Sequence, residues 1–323
     1  MNEPLNTANS DDLDPEIREF KDALNDGYNQ FGDLSTRPIE QRRQAAALVR
    51  APWAAGGPSM SSSLDLQVGN MNVRIRIHRP ANLENLPALV YLHGGGWVMF
   101  SLDTHDRVMR EYASRAGVVV VGVDYSLSPE AKFPQAIDEI VSVIHWLRIN
   151  GNEYGIDSKS IVIGGDSAGG NLSVATNLRL RELREPLCQG MLLNYGVYDN
   201  TLRPSYYRYD EHYMLNASEM AMFWDNYLGD IELENDALAC PIRADLTDMP
   251  PTFMVIAECD VLVDENLAMA KSLKKAGVDV QAQVYKGTAH SFLEAVSISA
   301  ISDRAFSDTS LWLKNILNIH ESV

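Results

Sequence analysis

Basic side chains are scarce in this sequence. Lysine and arginine number 27 against 44 aspartates and glutamates, a formal charge of −17 over 323 residues. That imbalance argues against nucleic acid or an anionic membrane as partner, favours a soluble protein and predicts mild repulsion of anionic substrates. Long apolar runs are lacking as well. None approaches the ~18 residues that span a bilayer, so no membrane partner is expected. The stretch Met1-Asn2-Glu3-Pro4-Leu5-Asn6 has neither a basic cluster nor an apolar core, so no secretory signal is visible. Cysteine is confined to Cys188, Cys240 and Cys259, widely spaced, odd in number and without metal-ligand spacing. Reduced thiols in the cytoplasm are expected, with no structural metal. Internal repeats and low-complexity tracts are absent.

What is present centres on Gly164-Gly165-Asp166-Ser167-Ala168-Gly169-Gly170, directly after the apolar run Ser160-Ile161-Val162-Ile163. An apolar run ending in glycines and then a serine reads as a strand turning sharply into a helix. Gly165 to Gly169 fits G-x-S-x-G, in which the serine hydroxyl is lifted above the carboxyl edge of a sheet. A phosphate-cradling loop is the bland alternative, but no Lys-Ser or Lys-Thr follows the glycines as a P-loop requires.

The rest of the chain alternates in a way that suits such a turn. Asp14-Pro15-Glu16 is a helix start, with Ile17, Phe20 and Leu24 at helical spacing. A second helix is expected over 39–49, then a loop of proline and glycine over 51–58. Residues 73–77 alternate strictly, as in a half-solvated antiparallel edge strand. Buried strands follow at 88–92, 118–123, 160–163, 191–193, 252–257 and 278–285, separated by helices at 104–115, 135–149, 266–275 and 305–317 and by one after Ser167. Strand and helix in repetition mean right-handed crossovers and a mostly parallel sheet covered on both faces. Between about 200 and 240 the alternation breaks, and aromatic helical segments suggest an insertion that forms a lid with the N-terminal helices.

A serine nucleophile needs a base, an acid to orient it and donors for the oxyanion. Among seven histidines, His78, His105, His145, His212 and His320 read as core or solvated residues. His290 follows a late strand, at the end of a sheet where sites gather. The acid is expected after a strand between serine and histidine in sequence. Asp260 is favoured there, with Glu258 and Asp264 as rivals and Asp199 as a further alternative. His93-Gly94-Gly95-Gly96 ends the 88–92 strand and matches the H-G-G-G source of oxyanion donors, assigning the amides of Gly94, Gly95 and Ala168.

At these residues the sequence resembles the hormone-sensitive-lipase-like family of bacterial carboxylesterases, with an α/β-hydrolase fold. The likeness runs from Leu13-Asp14-Pro15-Glu16 through His93 to Val98, Leu102-Asp103-Thr104-His105-Asp106, Val123-Asp124-Tyr125-Ser126, the serine turn and Pro241-Ile242-Arg243-Ala244-Asp245. The resemblance implies an eight-stranded, mostly parallel sheet with a helical cap, built from 1–55 and 199–240, over a core of 56–198 and 241–323. It implies Ser167 as nucleophile, His290 as base, Asp260 as acid, no cofactor, and a small-molecule ester substrate of short to medium acyl length. Trp97, Phe100 and Phe223 are expected at the substrate pocket. The late edge strand, short of charge and proline, is expected to support a homodimer. An amidase, lactonase or deacetylase would use the same groups, and plant gibberellin receptors resemble this family but have lost the histidine. The family usually has glycine where Phe100 and Ser291 stand, and proline at Gly196 and Val261.

Overall fold

The structure, a computed structural model, describes residues 12–210, 213–229 and 236–319. His212 and His320 lie outside them. Eight strands form one sheet: β1 (Ser62–Val68), β2 (Val73–Arg79), β3 (Leu86–Leu92), β4 (Val119–Asp124), β5 (Ile156–Asp166), β6 (Met191–Asn194), β7 (Thr252–Cys259) and β8 (Val280–Ala289), in the order β1-β2-β4-β3-β5-β6-β7-β8. Only the β1–β2 and β2–β4 pairs are antiparallel. Strand β1 was not foreseen. It is exposed over most of its length and so carries no apolar signal, yet it takes the edge position expected of 73–77 and leaves β2 inside the sheet.

The helices are α1 (Pro15–Asn29), α2 (Ile39–Ala54), α3 (Asp106–Ala116), α4 (Gln135–Asn150), α5 (Ala168–Glu182), α6 (Pro204–Arg208), α7 (Ala217–Leu228), α8 (Val263–Lys275) and α9 (Ala300–Ile316). Helix α3 carries the chain from β3 to β4, and α4 carries it back across β3 to β5. Right-handed crossovers running in opposite directions put the two helices on opposite faces. Helix α9 packs against α3, and α5 against α4, so both faces are covered. Because the winding reverses between β3 and β5, the loops leaving these neighbours diverge and open a crevice. The serine turn and the His93 loop are those loops.

Helix α1 starts as its sequence predicts, with Asp14 Oδ1 accepting from the Glu16 amide at 2.9 Å and Pro15 in the first turn. Ile17, Phe20 and Leu24 are buried in the main core, whereas Phe31 is exposed, so the N-terminal aromatics do not share one face. Helix α2 runs to Ala54, past its expected end and through Pro52. Arginines of α3 hold that end: Arg110 donates to the Pro58 carbonyl (2.7 Å) and to that of Ala54 (3.3 Å), and Arg107 to that of Ala55 (3.2 Å). Strand β8 takes in residues 286–289, expected as loop, because Glu258 on β7 accepts from the Gly287 amide at 2.8 Å and pairs with Lys286. Strand β8 ends the sheet, as expected of the late strand. Among the described residues, no helix is long and apolar enough to cross a membrane.

Candidate active site

Strand β5 delivers Ser167 at φ 55°, ψ −118°, outside the regions ordinary side chains prefer. The turn is tight because a Cβ on Gly165 or on Gly169 would collide with the carbonyl oxygen of Leu92 at the end of β3. The Ser167 amide donates to the Asn194 carbonyl at 2.9 Å, and the Ser167 carbonyl accepts from Gly170 and Asn171, starting α5. The serine hydroxyl is thereby presented at the crevice.

Ser167 Oγ lies 2.9 Å from His290 Nε2, and His290 Nδ1 lies 2.7 Å from Asp260 Oδ2. All three are buried, and Asp260 Oδ1 accepts from the Leu262 amide at 3.0 Å, which fixes the carboxylate. The ring of Tyr195 meets that of His290 edge-on at 5.0 Å. The rival acids are engaged elsewhere. Asp264 accepts from the Ser205 amide, Glu258 binds Lys286 and Gly287, and Asp199 pairs with Arg203 and Arg243.

Gly94 and Gly95 follow β3 in a loop, Gly95 at φ 109°, that lies against the turn: a Cβ on Gly94 would collide with Asp166. Among the described residues neither glycine amide donates a hydrogen bond, and Ala168 opens α5, where no acceptor exists within the helix. The cavity beside Ser167 has a volume of about 380 Å³, in the range of small-molecule sites. Phe100 and Phe223 line it together with Ser167 and His290. Trp97 does not, contrary to expectation. Left-handed backbone at Gly96 and Trp97 turns the indole under α7, where it stacks on Tyr227 (centroids 4.2 Å apart, planes within 3°) and meets Trp224.

The cavity walls also bring in residues that motif reasoning passed over: Tyr28 on α1, Arg42 and Arg50 on α2, and Glu219 on α7. The only local signal was the spacing Arg42-Ala46-Arg50 on one helix face, with Ala46 fully buried between two arginines. Arg50 is ion-paired with buried Glu294, and its guanidinium lies over the Phe100 ring at 4.7 Å from the centroid. Among the described residues, no group of three or more His, Cys, Asp or Glu side chains is arranged to hold a metal ion.

Behind the glycine loop, buried Asp166 accepts from Tyr91 Oη at 2.8 Å and lies 3.2 Å from His105 Nε2. Thr104 Oγ1 donates to the Ser101 carbonyl and lies 2.9 Å from His105 Nδ1. His105, read from sequence as a residue of polar surroundings, is almost fully buried. Burial opposes its charge, but Asp166 beside it outweighs that and raises its pKa; burial likewise opposes the Asp166 charge, and His105 overcomes it and lowers that carboxyl. His93 is pushed down to about 4 by burial and by the neighbouring His105.

Relatives agree with this architecture. The family model described as alpha/beta hydrolase fold matches residues 89–294. An acetyl esterase of Salmonella typhi is 35% identical over 279 residues, covering 84% of this chain and 85% of that protein. Among solved structures, a hyperthermophilic esterase of the archaeon Pyrobaculum calidifontis is 32% identical with a TM-score of 0.87, over 94% of this chain and 98% of that one. A thermophilic carboxylesterase cloned from a metagenomic library is 30% identical with a TM-score of 0.83, over 87% of this chain and 98% of that one. The chain belongs to the alpha/beta hydrolase family. Within it, the chain is a carboxylic ester hydrolase.

The His105–Asp166 pair has a pH signature. With its folded pKa raised, His105 contributes stability that is full below its unfolded value of about 6.5 and is lost as pH rises through the folded value. With its folded pKa lowered, Asp166 contributes stability present above about 3.8 and lost as pH falls through the folded value. The pair therefore stabilises most between those limits. His105→Gln is expected to cost about 3 kcal/mol near pH 5.5 and clearly less near pH 9, read by urea denaturation of both proteins at each pH. A cost independent of pH would mean that the pair is not ionic.

Proposed function

We propose that the protein is a serine carboxylesterase of the hormone-sensitive-lipase-like class, hydrolysing short- to medium-chain acyl esters through an acyl-enzyme. The observation that carries this reading is the buried relay Asp260–His290–Ser167, with links of 2.7 and 2.9 Å, at the wall of the cavity. Ser167 Oγ attacks the ester carbonyl carbon while its proton passes to His290 Nε2. Asp260 accepts from His290 Nδ1–H, which holds the tautomer and stabilises the imidazolium that forms. The carbonyl oxygen, now anionic, takes hydrogen bonds from the amides of Gly94, Gly95 and Ala168, each contributing about 3 kcal/mol to the transition state. His290 Nε2 then protonates the departing alcohol. Water, deprotonated by the same nitrogen, attacks the acyl carbon, and the acid leaves as Ser167 recovers its proton.

Residues 1–55 and 199–240 act in this reading as the cap, since Tyr28, Arg42, Glu219 and Phe223 from those segments line the cavity. Phe100 limits acyl length. The Salmonella relatives named acetyl esterases support the short end of the range. The enzyme works in the cytoplasm, a reading that its three unpaired, buried cysteines support. Turnover of esters without turnover of matched anilides and lactones separates this function from the amidase and lactonase alternatives.

Ser167→Ala is expected to abolish burst and steady-state turnover of p-nitrophenyl esters, with a fluorophosphonate probe labelling Ser167 alone in the parent. Asp260→Asn is expected to keep the fold and lose on the order of 10⁴ in turnover through the wrong histidine tautomer. Labelling that maps to another residue, or a larger loss from Asp264→Asn in a folded protein, would sink the assignment.

Phe100→Gly is expected to move the preferred p-nitrophenyl ester to longer acyl chains and to lower kcat/KM on the acetate. The ring removes volume from long chains, where clashes cost about 1–3 kcal/mol, and contributes about 2 kcal/mol of contact to short ones. An unchanged chain-length profile with a large drop in Tm would show instead that the ring only fills the core.

Two copies associate through the edge of β8, a strand with an unpaired side and no proline. Light scattering at high micromolar concentration is expected to give twice the mass of the chain; a monomer there refutes the pairing.

A further inference from the structure

Helix α2 sends three arginines toward the rest of the molecule, and two of them are committed. Arg43 donates to the carbonyls of Val98 (2.7 Å) and Ser128 (2.8 Å) and to both carboxylate oxygens of Glu130, fastening the helix to the core. Arg50 is neutralised by buried Glu294. Arg42 differs. It is half-buried and lines the cavity that holds Ser167 and His290, and among the described residues its guanidinium makes no hydrogen bond and no ion pair.

Glu219 faces the same cavity, but its Oε2 accepts from the Asn216 amide at 3.1 Å in the capping box of α7, and it does not pair with Arg42. Burial raises the Glu219 pKa, which favours the uncharged acid. Arg42 acts on Glu219 through its charge, but among the described residues the two form no ion pair, so the guanidinium donors remain directed at the cavity. A partly desolvated guanidinium without a counterion is a planar, bidentate receptor for carboxylate. The Nε of Arg50 on the same helix face is buried and lacks an acceptor.

We propose that Arg42 is a specificity-determining residue that binds a carboxylate on the substrate, so that the favoured substrates are esters carrying a free acid group away from the scissile bond. The inference rests on the esterase reading of this cavity. It reverses locally the repulsion of anions that the overall composition predicts.

The test compares matched acids and amides, which differ in charge and hardly in shape. One pair is 4-acetoxybenzoate and 4-acetoxybenzamide, with the charge on the alcohol side. The other is monomethyl glutarate and methyl glutaramate, with the charge on the acyl side. Acid-to-amide ratios of kcat/KM are measured for the wild type, Arg42→Gln and Arg42→Lys, at low and high salt. The expected result is a ratio of tenfold or more in one pair, falling towards one in Arg42→Gln, partly kept in Arg42→Lys and reduced by salt. Ratios at or below one in both wild-type pairs, or a preference that Arg42→Gln leaves unaltered, overturn the proposal. So does faster turnover of 4-acetoxybenzylammonium than of the benzoate, which would give the cavity to Glu219. If Arg42→Gln does not fold, inhibition of the wild type by benzoate against benzamide reads the same preference, and equal inhibition refutes it. Failure of the underlying esterase reading looks different, because then neither the amides nor simple p-nitrophenyl esters turn over.

Discussion

The carbonyl oxygen of Leu92 occupies the space that a methyl group on Gly165 or Gly169 would need. That close approach presses the turn between β5 and α5 onto the end of β3, and much else follows from it. The serine is forced into a conformation that lifts its hydroxyl off the sheet. The loop after β3 has to leave sideways, with the glycine at its start lying against Asp166. Asp166 in turn is held from β3 by Tyr91 and from the start of α3 by His105. Ser167 and the glycine amides thus share one buried frame, and neither can shift without the other. In the proposed mechanism such preorganisation would leave no reorientation of the backbone donors for the moment of reaction.

What was legible in the sequence is placement dictated by local backbone geometry. Glycines flanking a serine after an apolar run announce a turn that tolerates no side chains, and His93-Gly94-Gly95-Gly96 announces a loop with exposed amides. That His290 and Asp260 lie beside Ser167 was legible because each ends a strand, and the strand ends of an open parallel sheet converge. Residues positioned by distant partners were not legible. The end of α2 depends on Arg107 and Arg110, more than fifty positions away, and the inner wall depends on Arg50 meeting Glu294 across the fold. Trp97 was misplaced because a left-handed loop sends the indole away from the cavity that its sequence neighbours line. Strand β1 escaped because an edge strand facing water has no burial to impose a pattern.

Charge shows the same division between global and local. The acidic surplus is a property of the surface, where salt screens it over about 10 Å. Inside, several charged groups are paired with one another: His105 with Asp166, Arg50 with Glu294, Asp199 with Arg203 and Arg243. Such pairs do little for net stability compared with an apolar filling of the same volume, yet losing one partner is costly. Their effect is to fix one arrangement of α2, α3 and the loops around the serine.

Phe100 and Ser291, which both line the cavity, stand at positive φ, 73° and 62°. At such angles a side chain costs about 1–2 kcal/mol that glycine would not. The path of both loops is therefore imposed by their surroundings and does not depend on the residue that follows it. A scaffold with this property is tolerant in the wall of the cavity: a lineage can exchange a hydrogen atom for a ring or a hydroxymethyl group without redrawing the backbone. Stability is surrendered in small amounts, and new cavity shapes become reachable in single mutational steps while the frame around Ser167 stays where it was.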